Sequence, residues 1–136
     1  MATAEEYPVT LSVDGFEPRR VKQFTYKFNQ SIDDEGQLTG VPRGGLITIR
    51  VKPIEGNDEL LNWMLKRSLN KSGKISFLST QKGGDGNAKT IEFTDAFCID
   101  YTEHYEEDNK QAQYEEIAIT CRSIKNNSSE YVNTWV

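Results

Sequence analysis

The sequence predicts a mainly β protein: a small antiparallel β-barrel of about seven strands with one α-helix, formed by residues 1–136 as a single domain. Three observations predict it. Apolar residues alternate with polar ones through Val9/Leu11/Val13, Phe24/Tyr26/Phe28, Ile47/Ile49/Val51, Ile75/Phe77, Ile91/Phe93/Phe97/Ile99/Tyr101 and Ile117/Ile119/Cys121. Side chains on a strand point alternately to opposite faces, so each run carries one buried and one wetter face. A helical period occurs only in Asn57–Leu69, and the connections between runs are short.

The first strand ends at the Asp14-Gly15 turn, and Pro18 suits irregular chain after it. The second strand is expected from Phe24 to about Ile32. Asp33–Gly45 (DDEGQLTGVPRGG) then reads as a long loop with four glycines and a proline, a length that usually marks function or disorder. Leu46–Lys52 returns to β periodicity until Pro53, which cannot donate to a ladder. In the helix, Asn57 or Asp58 provides the cap, and Asp58 and Glu59 face the positive end of the dipole. Leu60, Leu61, Met64, Leu65 and Leu69 share one face suited to capping an open end or side of the barrel. Lys66, Arg67 and Lys71 gather at the far end, and Ser72-Gly73 closes the unit. A hairpin follows, Lys74–Thr80 and Lys89–Tyr101, joined by the glycine-rich turn Gln81–Asn87. The charged residues Glu103–Lys110 form an exposed turn before the last strand, Tyr114–Ser123. Ala96-Phe97-Cys98-Ile99 is apolar on both faces, so that strand is expected to be covered twice, by the helix or by a neighbouring subunit.

Sixteen basic against twenty-one acidic residues give a net charge of −5. That balance argues against general affinity for nucleic-acid phosphates or anionic membranes, both of which reward a basic surface. No apolar run approaches the roughly 18 residues that cross a bilayer. Met1–Tyr7 is polar and acidic, unlike a Sec signal, so cytoplasmic synthesis is expected. Cys98 and Cys121 are expected as buried, reduced thiols.

The residues offer little chemistry. His104 is the sole histidine and lies in an acidic run (Glu103, Glu106, Glu107, Asp108), which reads as solvated surface rather than as the base of a nucleophilic site. That run and Asp33-Asp34-Glu35-Gly36 both lack the ligand spacing of a calcium loop. Gly83-Gly84-Asp85-Gly86 joins two strands and lacks the lysine of a phosphate loop. No enzyme activity, cofactor or metal is expected. Arg43-Gly44-Gly45 admits two readings: the glycines ease the chain into Leu46, or they let the backbone approach another surface while the arginine presents a planar donor fork. The aromatics Phe24, Tyr26 and Phe28 read as core packing rather than base stacking, since only Lys22 and Lys27 lie among them. Trp63 and Trp135 are candidate interface anchors, with local packing an equal reading for Trp63.

Taken in order, Leu11–Gly15 (LSVDG), Tyr26–Asp33 (YKFNQSID), Gly36, Arg43-Gly44-Gly45 leading into Leu46–Ile49 (LITI), Leu60–Met64 (LLNWM), Lys71–Ile75 (KSGKI), Ile91–Ala96 (IEFTDA) and Trp135 resemble the Hcp (TssD) tube proteins of type VI secretion systems, in the short form found in Bacteroidetes. The resemblance covers nearly the whole chain; Pro42 and the acidic Glu103–Asp108 turn depart from it. It implies a barrel protomer that closes into a homo-hexameric ring. Rings stack into a hollow tube, which a contracting sheath propels from the cell beneath a spike protein, with effector proteins in the lumen. Export without a cleaved signal peptide is implied, and catalytic residues are not. A closing ring requires a heterologous interface, and ring-on-ring contacts that do not close make a filament. Each contact would bury about 800 Å² per partner. The candidate subunit or ring-stacking contacts are Gly40, Val41, Pro42, Arg43, Gly44, Gly45, Ala96, Cys98 and Trp135.

The alternative reading is a monomeric, lipocalin-type barrel holding a small ligand in its mouth. The bulky aromatics would fill a barrel of this size, which argues against it. A phage-derived tail-tube protein shares the physical account of the first reading.

Overall fold

The computed structural model describes residues 7–78 and 87–135. Among them the strands are β1 (Val9–Val13), β2 (Arg19–Tyr26), β3 (Leu46–Val51), β4 (Asn70–Leu78), β5 (Asn87–His104), β6 (Tyr114–Thr120), β7 (Ser123–Asn126) and β8 (Ser129–Val132), with one helix, α1 (Glu59–Leu65), between β3 and β4. The sheet order is β4-β1-β2-β3-β6-β5-β7-β8, and pairing of β4 with β5 closes the first six into an antiparallel barrel. Closure removes the open edges that invite stray pairing. Leu11, Ile47, Ile49, Ile75, Ile91, Phe93, Ile117 and Ile119 fill its axis, each at most 1% exposed. The axis is therefore occupied by side chains, which leaves a lipocalin-like cavity without space.

Four register shifts interrupt the pairing among the described strands, and three of them set which residues face that core. In β2, Val21 pairs with Val51 and Gln23 with Arg50, so Lys22 is an extra residue. In β5, an extra residue lies near Asp95, which has φ +47°, and another is Ile99, between Cys98 paired to Ile119 and Asp100 paired to Ala118. Each extra residue reverses the alternation. Phe93, Ala96, Cys98 and Tyr101 consequently point inward although their spacing is not even. Phe97 and Ile99, expected in phase with Ile91 and Phe93, point outward instead; Ile99 is 44% exposed. Ala96 and Cys98, expected on a second, partner-facing side, are buried within the protomer at 0% and 8% exposure.

Several element boundaries differ from expectation. The second strand begins at Arg19, directly after Pro18, and ends at Tyr26. The helix spans Glu59–Leu65 rather than Asn57–Leu69. Asn57 Oδ1 accepts from Glu59 N at 3.0 Å, while Asp58, at the cap position, makes no side-chain cap bond. The chain turns extended at Lys66, and Trp63 Nε1 donates to Leu69 O at 2.9 Å, tying the helix to the strand that follows. Ser72-Gly73 therefore lies inside β4. Leu60 and Trp63 are the buried residues of α1, Trp63 meeting Phe16 edge to face, so this tryptophan is local packing. The last strand breaks at Cys121-Arg122, and β7 and β8 form a hairpin beyond it. Its turn residue Asn127 has φ +56°, a conformation asparagine tolerates. The glycine turn expected at Gln81–Asn87 lies outside the described residues up to Gly86.

Candidate assembly interface

Residues 27–43, expected as strand end and loop, form a two-legged arm that leaves the barrel between β2 and β3. Asn29 and Arg43 exchange both backbone hydrogen bonds, N to O, at 2.9 and 2.7 Å. Thr39 N donates to Ser31 O at 2.9 Å, and Asp33 N donates to Gln37 O at 2.8 Å. At the tip, Asp33 Oδ1 accepts from both Glu35 N and Gln37 N at 2.9 Å, an Asx-type closure. Every residue from 27 to 43 is exposed. Ile32, Leu38 and Val41 are 62%, 67% and 71% exposed, large apolar side chains without cover on their own barrel.

The base of the arm explains the paired glycines. A Cβ on Gly44 would lie 2.2 Å from Phe28 Cδ1, so only glycine lets the returning leg cross that ring. Gly45 has φ +98°, and its carbonyl accepts from Cys121 N at 2.7 Å. The close approach is thus made within the chain. Phe28 continues a ladder of rings from Phe24 through Tyr26 to Tyr131 of β8, with centroids 5.2–5.3 Å apart. Asn133 Nδ2 donates to Cys121 O at 2.7 Å, locking the C-terminal segment against the same corner. Arg43 has an exposed side chain and makes no ion pair among the described residues. Gly40, Val41 and Pro42 are exposed on the same leg.

Trp135 lies half-buried on the outer face of β5, 6.0 Å from Phe97 between ring centroids. The Arg122 guanidinium sits 5.5 Å above the tryptophan ring and pairs with Asp95 at 3.3 Å. Beside this cluster, Met64, Lys66, Arg67, Leu69, Phe97 and Ile99 line a groove between the end of α1 and β5. Among the described residues, the arm and this groove each gather several exposed apolar side chains that the protomer's own packing does not cover.

One internal feature escaped the sequence reading. Arg19 and Glu115, 2% and 3% exposed, form a buried ion pair inside the barrel. Arg19 Nη2 also donates to Lys52 O at 3.0 Å, and Tyr101 Oη donates to Glu115 Oε2 at 2.6 Å. Burial, followed by the Glu115 carboxylate, pushes the Tyr101 hydroxyl well above its usual range. The available signal was that Glu115 shares the phase of Ile117 and Ile119. Burial also raises Cys98 to about 11 and Cys121 to about 12, the behaviour of inert structural thiols. On the outer face, Tyr114 lies between His104, stacked at 5.1 Å, and the Arg50 guanidinium at 4.2 Å. The hydrogen bond to Glu116 raises the Arg50 pKa. His104 also meets Glu106 at 3.1 Å and is 41% exposed, a surface position. No group of three or more His, Cys, Asp or Glu side chains positioned to hold a metal occurs among the described residues. No helix among them is long and apolar enough to cross a membrane.

Comparison with known proteins shows the family and the fold. The family model described as "Hemolysin coregulated protein Hcp (TssD)" matches residues 6–136. Hcp1 from Flavobacterium johnsoniae superimposes with a TM-score of 0.83 at 28% identity, over 93% of this chain and 100% of that one. Hcp1 from the E. coli EAEC 042 pathovar gives 0.74 at 12% identity, over 96% and 99%. Hcp3 from Pseudomonas aeruginosa gives 0.65 at 14% identity, over 95% and 100%. The last two establish likeness of fold. No curated protein matches the chain.

Proposed function

Because the chain belongs to the hemolysin coregulated protein family, Hcp (TssD), whose members are tube components of type VI secretion, we propose that it closes into homo-hexameric rings that stack into a hollow tube. The arm carries this reading: an ordered hairpin with Ile32, Leu38 and Val41 all more than half exposed has a physical rationale once another copy covers it. A patch of one copy meeting a different patch of the next is the heterologous contact that rings and filaments require. The contacts we assign to assembly are Gly40, Val41, Pro42 and Arg43 on the arm and Trp135 on β5, whereas Gly44 and Gly45, packed against Phe28, Cys121 and Asn133 of their own chain, hold the arm base rather than a neighbour. On β5 itself the outward positions are Phe97 and Ile99, Ala96 and Cys98 supporting them from the inside.

In this reading the molecule has no reaction to catalyse, and its assembled shape is its activity. A contracting sheath drives the tube, a spike protein caps it, effector proteins travel in its lumen, and the chain leaves the cell with the tube. Light scattering and negative-stain electron microscopy test the assembly. The wild-type chain is expected as a species of six copies, with tubes at high concentration, and Arg43→Glu is expected to weaken both. Unchanged rings and tubes in Arg43→Glu would remove the arginine from the interface. A wild-type monomer at every concentration would overturn the reading.

A further inference from the structure

Ile32 and Leu38 are directly opposite across the two legs of the arm, so their side chains lie on one face. Immediately beyond them the tip carries Asp33, Asp34 and Glu35. The arm therefore ends in an apolar pair crowned by three carboxylates. The groove between α1 and β5 has the inverse chemistry. Its floor is Met64, Leu69, Phe97 and Ile99, and its charged lining residues are Lys66 and Arg67, without a carboxylate among them. Leu65, at 70% exposure, extends the apolar surface on the helix side.

We propose that the groove between α1 and β5 receives the arm tip of a second copy of this chain, Ile32 and Leu38 entering over Ile99 and Phe97 while Asp33, Asp34 and Glu35 face Lys66 and Arg67. This rests on the self-assembly reading above and names the receiving surface for it. A second copy is the occupant because the two features are complementary in both shape class and charge, and the arm residues are exposed on their own barrel. The arm extends about six residues from its base to its tip, a reach of roughly 20 Å, enough to bridge to a neighbouring barrel. The carboxylates fit particularly well because a chain of net charge −5 repels its copies everywhere that a local basic patch does not offset it. The contact is heterologous and directional, and added salt weakens it.

Charge reversal on each side, in the full-length chain, tests this. Lys66→Glu with Arg67→Glu, and separately Asp34→Lys with Glu35→Lys, which leave the Asp33 closure of the tip intact, should each raise the concentration needed for assembly by at least about ten-fold, because like charges then face one another. All four substitutions together should restore assembly to within about three-fold of wild type. These positions are exposed, so unchanged thermal midpoints identify folded variants. If the wild type assembles and both reversals assemble equally well, the groove is not the receiving surface, although the tube reading survives. If the wild type stays monomeric, that reading itself fails. Mixing Leu38→Cys with Ile99→Cys chains under mild oxidation should give a disulfide dimer. A bond formed only within a single chain carrying both substitutions, independent of concentration, would mean that the arm folds onto its own barrel and would overturn the proposal.

Discussion

At the scale of single residues, the interior carries one expensive polar feature. Arg19 and Glu115 are buried together beside the half-buried Tyr101, and Arg19 Nε and Nη1 have no hydrogen-bond partner among the described residues. Removing one member leaves a charge uncompensated, so Glu115→Ala should lower stability by about 3–5 kcal/mol in urea unfolding. Replacing Arg19 and Glu115 together by apolar residues of similar volume should be close to neutral or stabilising. A loss under about 1 kcal/mol for the single variant would contradict this account of the pair. The thiols make a second prediction. Their folded pKa values, about 11 for Cys98 and about 12 for Cys121, lie above the 9.0 of an exposed thiol. The folded state thus holds its protons more tightly, so this contribution is complete below about pH 9 and is lost as pH rises towards 12. Tyr101 acts in the same direction above about pH 10. Urea midpoints should fall between about pH 8 and pH 10.5, and less steeply in Cys121→Val. A midpoint that stays level would argue against buried thiols. At the arm base, Gly44→Val must displace the Phe28 ring and should cost about 1–3 kcal/mol while splaying the arm, which hydrogen exchange at Asn29 and Arg43 would report.

Among the elements, β1, β3 and β6 were plain from alternation because each lies on the barrel without an extra residue between its apolar positions. The longest strand shows where alternation misleads. Bulges at Asp95 and Ile99 reverse the phase of β5 twice, and an inserted residue leaves no trace in composition, so Phe97 and Ile99 read as core and lie on the outer face. The same effect at Lys22 hid the inward position of Arg19. The helix read too long because Leu69 continues the spacing of Leu60, Leu61, Met64 and Leu65, whereas the chain turns extended at Lys66; on that stripe Leu61 and Leu65 are 36% and 70% exposed. Leucine on that stripe marks a surface that something else covers as readily as it marks core. The β7–β8 hairpin was invisible because Ile124 is its one buried apolar residue in a polar segment. The paired glycines of the arm were legible as a place of close approach, but their partner, Phe28 on the opposite leg, depends on the chain doubling back. Trp63 joins α1 to the barrel, so Trp63→Ala should cost about 3–5 kcal/mol and release the helix. Trp63→Phe, which keeps most of the apolar volume and loses the bond to Leu69 O, should cost far less.

For the whole molecule, the closed barrel and its filled axis leave function to the outside. Two surfaces stand out there, an ordered arm ending in carboxylates and an apolar groove rimmed by cations, placed on different parts of one protomer. A patch that is not self-complementary builds rings or filaments rather than isologous dimers. Family membership and the barrel were both legible in the residues, since motif order and alternation survive in a linear reading. The surface proposed for assembly was less legible, because which side of β5 faces outward is decided by hydrogen-bond register.

The most direct test of the central claim is the native mass of the purified wild-type chain measured across a wide concentration range. The account predicts a discrete species of six copies, giving way to stacked tubes as concentration rises. A chain that remains a single copy throughout would contradict it.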